Sequence, residues 1–199
     1  MSYLGKSLLS ALLLTAFFVV PAANAEEAPP AELTEDQEMA IKNELSKYAV
    51  LGQQQIIYLT QQATEDYSDT LTDPNPNMPS AWMLLEDGTT IKRINLDEQS
   101  GDAPAQVRIL MYRAALKSIA RRGKIHAAAI LYTGKLRENS SDEALVIEYE
   151  HRLGISGNKI VPYKVDDGEV NYSEPVTSEK PFQIFYDSKA DANAKGDAS

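Results

Sequence analysis

Residues 102–133 read DAPAQVRILMYRAALKSIARRGKIHAAAILYT, and this stretch decides the fold. Ala105, Ile109, Tyr112, Leu116 and Ile119 recur at steps of four and three, which keeps them on one face of a helix. Asp102 stands where an N-cap would accept backbone hydrogens, with Pro104 in the first turn. Arg121 and Arg122 close the helix, where its dipole favours cations. Gly123 supplies the left-handed residue that ends it. From there the period changes. Residues 124–133 are rich in small apolar residues and read as a strand.

Further strands follow downstream. Residues 144–152 form the second, after a polar loop. Residues 159–165 form the third, after a turn containing Gly154 and Gly157. Asp166-Asp167-Gly168 makes another turn before residues 170–172, and residues 182–186 read as a last short strand. Pro162 has no N–H to give a ladder, so its strand is expected at an edge or with a bulge. Short turns between successive strands imply antiparallel pairing. Residues 187–199 are small and polar and are expected to be a disordered tail.

Upstream lies a second helical signal. Thr34 and Gln37 have capping-box spacing. Behind them Ile41, Leu45, Tyr48, Gly52, Ile56, Leu59 and Ala63 hold one stripe, so residues 35–66 read as one long helix or as two hinged at Gly52. Glycine there costs about 1 kcal/mol relative to alanine, which points to a kink or a close neighbour. Residues 69–80 carry three prolines and form a loop. Residues 81–96 then read as a hairpin whose Asp87-Gly88 suits a two-residue type I′ turn.

The order is helix, hairpin, helix, strands. It predicts a single α+β domain over residues 34–186, with an antiparallel sheet of about five strands and two main helices against one face. In element order alone, over roughly 35–186, the chain is similar to profilin-like and PAS-like domains, several of which sense small ligands. That resemblance implies a fold and not a function.

The first 25 residues set the compartment. Lys6 precedes an apolar run over residues 7–20, Pro21 breaks it, and Ala23-Asn24-Ala25 fits a signal-peptidase site. A secretory signal peptide over residues 1–25, cleaved before Glu26, is expected, with residues 26–33 a flexible leader. The whole chain carries a formal charge of −10; removing Lys6 with the signal leaves 18 basic and 29 acidic residues, or −11. Such a surface repels nucleic acid and anionic lipid, so neither is an expected partner. There is no cysteine, hence no disulfide, no thiolate chemistry and no lipid-anchoring cysteine. These features point to a bacterial periplasm, with extracellular release as the alternative. The patterns at Asn139 and Asn171 fit glycosylation only by chance in that setting.

Candidate sites are few. His126 shares a strand face with Ala128, Ile130 and Tyr132; His151 shares one with Leu145, Ile147 and Tyr149. If the strands pair, His126, Tyr132, Tyr149 and His151 form a patch able to bind a ligand or move a proton. The plainer reading is two strand-end histidines bonded to backbone or water. Glu148, Glu150 and Arg152 face the other way; they suit a shared cation or an acid–base pair, or simply a wet sheet face. Arg113, Lys117 and Arg121 make a basic stripe along the second helix, for an acidic partner or for internal pairing. Residues 166–169 match a calcium loop in composition but lack its spacing. No cofactor or metal motif occurs. The functional expectation is a non-enzymatic protein that binds a partner protein or small ligand. The alternatives are a small hydrolase or isomerase using His126 or His151, and self-assembly as a homodimer through residues 35–66.

Overall fold

The capping box at Thr34 forms as its spacing predicts. The Gln37 amide donates to Thr34 Oγ1 at 3.4 Å, and the Thr34 amide donates to Gln37 Oε1 at 2.9 Å. Helix α1 follows as one unbroken element, Glu35–Leu71, with no hinge at Gly52. The chain is described here from a computed structural model over residues 33–72, 78–96, 103–136 and 142–187. The proposed signal peptide, most of the leader, Asp102 and residues 188–199 lie outside them.

Among the described residues, seven strands make one antiparallel sheet. They are β1 (Ser80–Leu85), β2 (Ile91–Ile94), β3 (Ile125–Lys135), β4 (Glu143–His151), β5 (Ile155–Asp166), β6 (Glu169–Tyr172) and β7 (Val176–Glu179). The order is β2-β1-β3-β4-β5, with β6 and β7 both along the outer edge of β5. Helix α2, Ala105–Arg121, carries the chain from β2 to β3 across β1. Pro104 occupies its N-cap position, and Gly123 ends it at φ 70°.

The two helices cover opposite faces rather than one. Ile56, Leu59, Ala63 and Tyr67 of α1 pack with Trp82, Leu84, Ala127, Ala129, Leu131, Leu145 and Ile147. Tyr112 and Leu116 of α2 pack with Ala81, Ala128 and Ile130. Successive strand residues point to opposite faces, so the unbroken apolar run of β3 is the signature of a strand covered on both sides. The expectation of one covered face overlooks that run.

Several turns differ from their sequence reading. The Asp167-Gly168 pair, with φ 52° and 83°, is the two-residue turn with both angles positive, and it joins β5 to β6 through the Asp166–Glu169 pair. At the first hairpin only Gly88 is left-handed (φ 73°); Asp87 instead accepts from the Thr89 and Thr90 amides at 2.9 and 2.8 Å. Gly157 belongs to β5 and not to a turn. Pro162 sits neither on an edge nor in a bulge. Its carbonyl accepts from Ser173 N–H, so its missing N–H points to the same side, into the break between β6 and β7. Residues 182–186 form no strand; they cross the α2 face as a strap.

Candidate functional site

A β-bulge brings the two histidines together. Leu84 pairs with Ala127 but Leu85 pairs with Ile125, which leaves His126 as the extra residue of β3. Ile125 therefore packs on the α2 side and Ala127 on the α1 side. His126 turns to His151, with ring centroids 6.4 Å apart. Plain alternation with Ala128 and Tyr132 would have put it on the far face.

His151 is almost fully buried and both its ring nitrogens are engaged. The Leu153 amide donates to Nδ1 at 3.0 Å, so Nε2 carries the proton and donates to Gln55 Oε1 at 2.8 Å. Gln55 Nε2 continues to the Gly88 carbonyl at 3.3 Å. Burial, then the neighbouring His126 and Arg152, push the His151 pKa down from 6.5 to about 4. Burial and Arg152 also lower that of His126. The ring is a neutral strut joining β4, α1 and the β1–β2 turn. Helix α1 approaches it closely at Gly52, where a Cβ would lie 2.7 Å from Ile155 Cδ1 and 3.5 Å from His151 Nδ1. Contact, not a kink, explains that glycine.

The two tyrosines of the expected patch do not join it. Tyr132 lies on the α2 face, where its hydroxyl donates to Glu148 Oε1 at 2.8 Å. Burial first, then Glu148, raise its pKa. Tyr149 leans over β5, its hydroxyl 2.5 Å from where a Cβ on Gly157 would stand. The four residues are thus split into a histidine pair and two separate phenols.

Glu148 and Glu150 occupy no wet face. They are 6 % and 0 % exposed, beneath α2 and the strap. Arg113 clamps Glu148 with Nη2 at 2.6 and 2.8 Å and Nε at 3.3 Å. Glu150 takes Lys180 Nζ at 2.5 Å and three backbone amides, Gln183 at 2.8, Ile184 at 2.9 and Phe185 at 3.2 Å. Ile184 plugs the core against α2, and Tyr186 Oη donates to the Arg152 carbonyl. Lys117 and Arg121 both reach Asp187, at 2.7 and 3.2 Å. Asp187 is therefore part of the strap and not of a free tail. All three residues of the basic stripe have acidic partners within the chain. Period-two reading misses this cluster. The usable signal is the run Ala144-Leu145-Val146-Ile147, apolar on both faces, whose burial extends to the next residues.

Other features of the described residues are open. A hollow of about 390 Å³ lies by Asp142, Glu143, Tyr163, Lys164, Val165 and Asp166. No group of three or more acidic or imidazole ligands suited to a metal occurs among the described residues. The larger feature is α1 itself. It meets the sheet only from Gly52 onward, and every residue from 35 to 51 is exposed. Among them Met39, Ile41, Leu45, Tyr48, Val50 and Leu51 are between 43 % and 63 % exposed. No described helix is long and apolar enough to cross a membrane. Neither the known protein families, nor the curated proteins, nor the solved structures contain a match to this chain.

Proposed function

We propose that this chain is an exported, periplasmic, non-enzymatic interaction protein whose docking element is the free amino-terminal half of α1. One observation carries the reading. Residues 35–51 continue a folded helix by about 25 Å beyond its last support. A helix segment with no tertiary contact draws little stability from propensity alone, since most helical stability comes from packing an apolar face. Single exposed apolar residues are ordinary, but Ile41, Leu45 and Tyr48 fall within about 60° of one another around one projecting helix, and such a grouping marks a contact surface. His151 adds no competing claim, because it has no free ring nitrogen for proton transfer. The internal pairing of Arg113, Lys117 and Arg121 likewise leaves the helix as the surface with unmet contacts.

The test is affinity capture from periplasm with the tagged mature protein, run beside an Ile41→Glu/Leu45→Glu variant. Both positions are exposed, so the variant keeps its fold. The reading expects co-eluting protein that the variant loses. Identical eluates from the two would refute it.

A further inference from the structure

We infer that residues 174–187, β7 with the strap that follows it, are an internal stand-in for a partner: they fill a groove along β5 and beside α2 that is fitted to an extended, arginine-bearing peptide, and such a peptide displaces them. This goes beyond the docking role of α1 and uses the opposite face of the sheet. The arm lies in the groove as a bound peptide lies. Val176–Glu179 adds a strand to the edge of β5 through four paired positions. Lys180 reaches Glu150 at 2.5 Å, Ile184 seats against Tyr112 and Leu116, and Asp187 meets Lys117 and Arg121.

The fit is incomplete at one place. Ser156 Oγ and Asn158 Oδ1 are buried and have no hydrogen-bond partner among the described residues. In the pairing of β4 with β5, Ser156 stands opposite Glu150 and Asn158 opposite Glu148. Directly paired residues share a face, with Cβ atoms about 5 Å apart, so both unmet atoms belong to the floor that holds the two carboxylates. The register of β7 sets Ser178 opposite Asn158 and Glu179 opposite Gly157, which brings Lys180 alongside Ser156. Yet Ser178 makes no bond to Asn158, and Lys180 spends its ammonium on Glu150 and the Pro181 carbonyl. Buried polar atoms left unmet weigh against the state that strands them.

The missing groups are donors beside a carboxylate. A lysine ammonium gathers three N–H groups on one centre. A guanidinium spreads five over a plane, so it can hold Glu150 with one edge and donate to Ser156 and Asn158 with another. An arginine at the Lys180 position is therefore the change that completes the groove. The rest of the peptide follows from what the arm already satisfies: an apolar residue four places on, for the Ile184 seat, and an acid three places beyond it, for Lys117 and Arg121. The chain's charge of −10 favours approach of a basic segment. The arm is also poorly embedded. Ile184 is its one buried residue, so it opens by losing a short edge ladder, that plug and the bonds on Glu150.

The test uses the whole mature chain and two fluorescent peptides copying residues 174–187, one native and one carrying Lys180→Arg. Anisotropy is read on the wild type and on Ile184→Ser, which loosens the arm and leaves the groove intact. The arginine peptide should bind Ile184→Ser about tenfold tighter than the native peptide does. It should bind the wild type more weakly, because the arm there competes. Hydrogen exchange at the Gln183, Ile184 and Phe185 amides of the chain should rise as the peptide binds, which marks displacement and not attachment elsewhere. One readout needs no loosened arm: Lys180→Arg in the chain itself should raise the urea midpoint, and the gain should vanish in Ser156→Ala. Equal affinity of the two peptides overturns the inference, as does no binding to either chain at about 1 mM. A Lys180→Arg midpoint that is unchanged or lower overturns it too. So does a Ser156→Ala chain less stable than the wild type, since a fixed water then already meets Ser156.

Discussion

Acidification should unfasten α1 through His151. Its pKa falls from 6.5 to about 4 on folding, so between those values the unfolded chain binds a proton that the native chain refuses. Stability from this group is fully present above pH 6.5 and is lost as the pH falls toward 4. Every tenfold weakening of proton binding on folding corresponds to about 1.36 kcal/mol, so the loss reaches about 2 kcal/mol at pH 5 and about 3 kcal/mol at pH 4. The structural cause is specific. Protonated Nδ1 cannot accept the Leu153 amide, and the cation would sit 6.4 Å from His126 in a site nearly sealed from water. The assay is urea unfolding at pH 7, 5 and 4 on the wild type and His151→Gln. The variant can still donate to Gln55 but cannot titrate. It should be less stable at pH 7, and the gap should close by about 3 kcal/mol at pH 4. Other carboxylates titrate in both proteins and cancel in the comparison. Two parallel stability curves would refute the assignment.

Three further outcomes follow from the buried pairs and the closest contact. Glu150→Gln strands the Lys180 ammonium, only 8 % exposed, and should cost about 3–5 kcal/mol. Hydrogen exchange at the Gln183, Ile184 and Phe185 amides should rise with it, and Glu150→Gln/Lys180→Met should recover much of the loss. Arg113→Met leaves Glu148 buried with only Tyr132 and should cost about 3 kcal/mol at pH 7, read by chemical denaturation, whereas Arg113→Met/Glu148→Leu should come close to neutral. Gly157→Ala drives a methyl to 2.5 Å from the Tyr149 hydroxyl and 3.0 Å from the Ser178 carbonyl; it should cost about 1–3 kcal/mol in thermal melts, and Tyr149→Phe should relieve part of that cost.

The elements legible in the sequence share a property: their signals are local. Thr34 with Gln37, the stripe of α2 and Gly123 each specify a helix end or face within a few residues, and each forms as its spacing implies. What escapes a sequence reading depends on partners far along the chain. The sheet reaches seven strands among the described residues because β5 is long enough to pair β6 and β7 end to end on one edge, with Pro162 at the break. The period-two alternation of β4 is real, but neither of its faces is wet, since the strap that seals Glu150 comes from residues 180–187. A carboxylate's neighbours decide whether it is surface or core, and here those neighbours lie about 30 positions away.

The histidines show why a correct juxtaposition need not imply chemistry. Strand pairing predicts their convergence, yet with plain alternation pairing alone would separate them. The single extra residue in β3 turns His126 to the other face, and no residue type in Ile125-His126-Ala127 announces a bulge. Once together, their role is set by Gln55, 96 residues before His151 in the chain, which takes the one proton the ring could have moved. A general base needs a free lone pair facing a cavity, and His151 spends its lone pair on Leu153. The hydrogen bond from Nε2 to Gln55 also fastens α1 to the sheet, with Gly52 in close approach to the same ring. That fastening point is where support for the helix ends, so the strut defines where the free half-helix begins. The buried site and the exposed one are two consequences of one anchorage.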